Sequence, residues 1–154
     1  MTYRVIAAKR VNRMLSRLVG VEITHIRHGD GEPKLILLTF CERNRRNIAF
    51  KARFSLRLLL DYVDIFAGQR QLTARQFSDE LGLDVTSGSL PNCIIWRCST
   101  DSEGNVTIQV GTKQFVMRAT RGPPDAPATN WILHMNNSRI ARGDGRFVRF
   151  RGEF

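Results

Sequence analysis

The sequence predicts an α+β fold: an N-terminal basic helix, an antiparallel β-sheet, two short capped helices at about 55–67 and 73–81, and a C-terminal β-meander. Three observations carry that expectation. Residues 2–19 place Ala7, Val11, Met14, Leu15 and Leu18 on one helical face and Arg10, Arg13 and Arg17 on the other. Residues 21–54 hold apolar, β-branched runs separated by turn chemistry. From Asn92 onward only strand patterns occur.

The elements follow in order. The basic N-terminal helix suits phosphates or a lipid surface, and also has the composition of an organelle-targeting segment. Val21–Arg27 and Leu35–Cys41 form a hairpin around Asp30-Gly31-Glu32-Pro33. A turn at Arg43–Arg46 leads into a strand over Ile48–Phe54, where Ile48, Phe50, Ala52 and Phe54 alternate with Lys51 and Arg53. At Ser55 the spacing becomes helical through Leu56, Leu59, Leu60, Val63 and Phe66, with Gly68 as a stop. Ser55 is its expected N-cap, and Arg57 pairs with Asp61 one turn on. Thr73 and Gln76 then make a capping box, Leu72 and Phe77 a hydrophobic staple, and Gly82 ends the helix. Strands are expected at Cys93–Cys98, Val106–Val110, Phe115–Thr120, Trp131–Met135 and Arg146–Arg151. Between two of them, Arg121–Ala128 is a stiff, Pro-rich exposed loop.

The 154 residues suit a single domain, 1–154, with a seam near 86–92 where a mixed lobe would meet an all-β lobe. The net charge of +10 points to a polyanionic partner. Twenty arginines against four lysines favour forked contacts to phosphate, although a GC-rich coding sequence yields the same bias. The charge sits at the ends: +8 over residues 1–70, −1 over 71–120 and +3 over 121–154. Three cysteines, Cys41, Cys93 and Cys98, are no disulfide framework, which places the chain in a reducing, cytoplasmic or nuclear setting. No apolar run is long enough for a transmembrane segment.

Motifs narrow the chemistry. Thr73–Leu90 matches the first half of a helix-turn-helix, but Gly88 and Pro91 fall where its second helix should run. Arg142–Phe150 shares Gly143, Gly145, Phe147, Val148 and Phe150 with the aromatic octamer of the RNA-recognition motif. Asp144 and the extra Arg146 exclude membership, while the mixture of arginine and aromatic rings still suits phosphates and bases. His25 and His28 fall on opposite strand faces, and no cysteine pair has zinc-ligand spacing, so no metal or other cofactor is expected. No catalytic motif stands out.

The sequence therefore predicts a non-catalytic nucleic-acid-binding protein, with RNA or single-stranded DNA favoured over specific duplex DNA. Its expected contacts are Arg10, Arg13, Arg17, Arg43, Arg45, Arg46, Lys51, Arg53 and Arg57, with Arg146, Phe147, Arg149, Phe150 and Arg151 as a second patch. The alternative is a viral or phage accessory or assembly protein that binds an acidic protein partner; either reading is compatible with a homo-oligomer. A small metal-dependent nuclease built on His25, His28, Asp30 and Glu32 is the third reading.

Overall fold

Burial alternates along most of the chain, as it does in strands with one wet face. Ile36, Leu38 and Phe40 are fully enclosed and Leu35, Leu37 and Thr39 only partly. The computed structural model describes residues 2–29, 34–43, 50–82, 94–121, 128–135 and 138–151. Its first half contains β1 (Thr2–Ile6), α1 (Ala8–Leu15), a 3-10 turn (Ser16–Leu18), β2 (Glu22–Gly29), β3 (Leu35–Arg43) and β4 (Phe50–Leu59). Next come β5 (Val63–Ala67), β6 (Arg70–Leu72) and α2 (Ala74–Leu81). The remainder is β7 (Ile95–Thr100), β8 (Val106–Val110), β9 (Lys113–Ala119), β10 (Thr129–Met135), β11 (Ser138–Gly143) and β12 (Arg146–Arg151).

The strands make two antiparallel sheets, a seven-stranded one ordered β1-β12-β11-β10-β4-β3-β2 and a five-stranded one ordered β6-β5-β9-β8-β7. The α+β expectation is thereby corrected: the protein is mainly β, with two short helices at its margins. The C-terminal β-meander is present as β10-β11-β12.

The N-terminal helix expectation is corrected as well. Thr2–Ile6 is a strand, paired from Thr2↔Arg151 to Ile6↔Phe147, and the helix begins only at Ala8. Aromatic and β-branched residues in TYRVI suit an edge of the sheet. Helical spacing reads correctly from there on, since Val11, Met14, Leu15 and Leu18 are all buried.

The helix expected at 55–67 is absent. β4 continues through it to Leu59, a turn closes with Tyr62 N–H donating to the Leu59 carbonyl at 2.9 Å, and β5 follows. Leu56 and Leu58, then Val63 and Ile65, are the inward residues. Such a dense apolar run satisfies both periods, and pairing decided the outcome: β4 lies between β3 and β10. Ser55 therefore faces His134 and Thr39 rather than capping a helix, and Arg57 faces Ile132 and Leu37.

Helix α2 is where the sequence places it. Thr73 Oγ1 accepts from Gln76 N–H at 3.1 Å, Gln76 Oε1 accepts from Thr73 N–H at 2.9 Å, and Gly82 closes it at φ 65°. One cluster of buried side chains draws on both sheets and both helices. Trp131 of β10 lies within it and donates its indole N–H to the Gly104 carbonyl at 2.9 Å, tying the β7–β8 turn to the larger sheet. Phe77 of α2 meets Phe115 of β9 edge-on at 5.0 Å. Residues 44–49, the seam near 86–92 and most of the Pro-rich loop lie outside the described residues. Among those described, no helix is long and apolar enough to cross a membrane.

Candidate nucleic-acid interface

The β11–β12 hairpin sets the geometry of the site. Its two-residue turn, Asp144-Gly145, has both φ angles positive, at 53° and 75°, as a tight turn of this twist requires. Asp144 anchors the turn: its carboxylate accepts from Ala128 N–H at 3.1 Å, and its own N–H donates to the Ala128 carbonyl at 3.2 Å. With the register fixed, Phe147 points into the core against Trp131, at 5.9 Å between ring centres. Arg149 and Arg151 follow on that same face by strand alternation. Strand β1 then brings Arg4 directly opposite Arg149 and Thr2 opposite Arg151.

Helix α1 packs against β7. Asn12 clamps it to the end of β7, accepting from Thr100 N–H at 2.7 Å and donating to the Thr100 carbonyl at 2.8 Å. With the apolar face of α1 buried, Arg10 and Arg17 stay exposed and near enough to act on Arg149. The result is a cleft of about 140 Å³ lined by Tyr3, Arg4, Arg149 and Arg151.

The electrostatics are unusual for an unliganded surface. Burial holds the Arg149 guanidinium below its ordinary pKa, and repulsion from Arg151, Arg10, Arg4 and Arg17 lowers it further. Its Nε is enclosed with no hydrogen-bond partner. Among the described ion pairs no carboxylate meets any of these arginines; the half-buried Glu80, its pKa lowered by hydrogen bonds to Arg70 and Lys113, serves α2 instead. Like charges placed opposite one another across strands are destabilising. The cleft is also smaller than the roughly 300–1,000 Å³ of small-molecule pockets. Its size and charge suit one phosphate-like group of a larger chain.

The opposite face of the seven-stranded sheet is chemically different. Cross-strand pairing aligns Tyr3, Phe150, Arg139 and His134 in one row, which continues through Ser55 and Thr39 to His25. Tyr3 and Phe150 are 6.1 Å apart between ring centres, and the Arg139 guanidinium lies 4.9 Å above the Phe150 ring. Arg57 and Arg27 stand in the neighbouring row, on either side of Leu37.

His134 is held below its ordinary pKa of 6.5 by partial burial and by the charges of Arg57 and Arg139. The unfolded chain therefore binds a proton at this position more readily than the folded one. His134 consequently takes stability away as pH falls through about 6.5 towards the lower folded value. His134→Gln is expected to flatten the fall in urea midpoint between pH 7.5 and 5. An unchanged slope would show that the histidine does not feel Arg57 and Arg139 in solution.

The residues expected at the site are distributed unevenly. Arg10, Arg17, Arg149 and Arg151 converge, and Arg4, which sequence reasoning missed, completes the group. Arg13 is exposed on α1 but is not among the charges acting on Arg149. Arg57 and Phe150 belong to the other face, Arg146 is exposed beside the hairpin turn, and Phe147 is 3% exposed and cannot stack on a base. Arg45 and Arg46 lie outside the described residues, as do the side chains of Arg43, Lys51 and Arg53. The backbone pairs Arg43 with Phe50 and Glu42 with Lys51, and the register shifts so that Arg53 has no opposite residue. Arg4 and Tyr3 would have emerged had the first residues been read as an alternating strand.

Elsewhere the chemistry is quiet. Among the described residues no group of three or more His, Cys, Asp or Glu could hold a metal ion. Burial pushes the Cys98 thiol up to about 12, and Cys41 Sγ lies 3.0 Å from Thr24 Oγ1. Comparison with protein-family models, curated proteins and solved structures finds no match to this chain.

Proposed function

We propose that this protein binds nucleic acid without catalysis, RNA or single strands in preference to specific duplex DNA, and that its arginine cleft grips backbone phosphate. The observation that carries the reading is the convergence of Arg4, Arg10, Arg17 and Arg151 on a partly buried Arg149, none of them in an ion pair among the described residues. Folding has gathered these charges from β1, α1 and β12 at an electrostatic cost that an incoming phosphate offsets. Guanidinium forks fit phosphate oxygens.

The test is a binding titration with single-stranded RNA, duplex RNA and duplex DNA across a salt series. Log affinity should fall linearly with log salt. The double variant Arg149→Gln, Arg151→Gln should reduce the single-strand slope by about 0.7 for each phosphate it no longer neutralises. No binding to any of the three at low salt, or an unchanged slope in the variant, would overturn the reading. Tight, salt-insensitive capture of an acidic protein would replace it with the protein-partner alternative.

A further inference from the structure

We propose that the outer face of the seven-stranded sheet is a base-stacking platform for the single strand whose phosphate occupies the arginine cleft. The inference rests on the reading above and adds a second, separable site. Strands β1 and β12 are shared by both surfaces. By strand alternation Arg4, Arg149 and Arg151 project to one side and Arg139 and Phe150 to the other, with Tyr3 at the rim, beside Phe150 and also bordering the cleft.

Three features identify the occupant. The first is unsatisfied aromatic surface, because Tyr3 is 73% exposed on an edge strand where a buried or clipped side chain would be the ordinary solution. The second is the Arg139 guanidinium lying over Phe150, which offers a cationic plane upon which a base can stack. The third is charge: the rows through His134 and Ile132 include Arg27, Arg57 and Arg139 and not one carboxylate. A second copy of this chain would meet its own positive charge there. A duplex keeps its bases stacked internally and has no faces to offer. A single strand has both, phosphates for the cations and free base faces for Tyr3 and Arg139.

The geometry also supplies a path. The cleft and the platform meet across the outer edge of β1, the last strand of the sheet among the described residues, so a strand bent over that edge places phosphate on one side and bases on the other. Beyond Phe150 the row runs on through His134 towards His25, at about 4.8 Å per strand.

The experiment compares Phe150→Leu and Arg139→Ala with the Arg149→Gln, Arg151→Gln variant, using fluorescein-labelled oligouridylate and an RNA duplex of equal length. Phe150 and Arg139 are only partly buried, so both substitutions should leave the fold intact, as circular dichroism will verify. Each platform variant should weaken single-strand binding roughly 5- to 150-fold and leave duplex binding unchanged. The cleft variant should weaken both. If Phe150→Leu and Arg139→Ala bind the single strand like the wild type while the cleft variant does not, the platform falls and the phosphate reading stands. Equal loss of single-strand and duplex binding in the platform variants would also overturn it, since stacking would not be the cause. If the wild type binds neither probe, both proposals fall together.

Discussion

Replacing Trp131 with alanine is expected to remove most of the protein's stability. The side chain is fully buried at the junction of the two sheets, against Phe147 and beneath the β7–β8 turn. Truncating an enclosed aromatic residue costs about 3–5 kcal/mol. Loss of the indole N–H leaves the Gly104 carbonyl without that donor, a further cost of about 1–3 kcal/mol if water cannot reach it. Gly104 cannot move in to fill the space, because its φ of 85° and the Arg142 side chain against its Cα fix the turn. Against a total of about 5–15 kcal/mol, the variant should unfold at little or no urea. Trp131→Phe keeps most of the packing and should lose much less. A wild-type urea midpoint in the alanine variant would mean that the two sheets do not share this core.

Arg149→Met should act in the opposite sense, raising stability while weakening polyanion binding. Methionine retains the length of the aliphatic stem but removes an orphaned Nε and a charge repelled by four neighbours. Relief of one unsatisfied buried group contributes on the order of 1 kcal/mol. The urea midpoint at low salt should therefore rise, and the gap to wild type should narrow as salt screens the remaining arginines. Adding single-stranded RNA should stabilise the wild type by mass action more than the variant. A lower midpoint for Arg149→Met at low salt would show that the stem packs better than it repels, and would remove the argument that the cleft is strained in favour of a ligand.

What the sequence disclosed was local. The capping box at Thr73 and Gln76 and the alternation in Val106–Val110 depend on near neighbours, so both were legible. Residues 55–67 were not, because Leu56 to Phe66 satisfies two periods and only the flanking strands β3 and β10 choose between them. The strand Ser138–Gly143 was also missed; its apolar positions are Ile140 and Ala141, and its inward row includes Arg142, buried over Phe147. The cleft was half legible. Arginines in α1 and β12 were visible as separate runs, but their meeting depends on pairing between distant segments. Phe147 and Phe150 read alike in sequence and end on opposite faces, one in the core and one partly accessible.

The pairing of β1 with β12 carries a kinetic consequence. Thr2 and Arg151 come from remote parts of the chain, so this ladder closes one of the largest loops in the fold. Loop closure of that span is slow, and contacts of such high sequence separation contribute late. Among the described residues β1 is also an edge strand held by one neighbour, which puts it among the first segments to open in native-state hydrogen exchange. Arg4 and Tyr3 ride on that strand. The arginine cleft and the aromatic row therefore both depend on the β1–β12 ladder being docked.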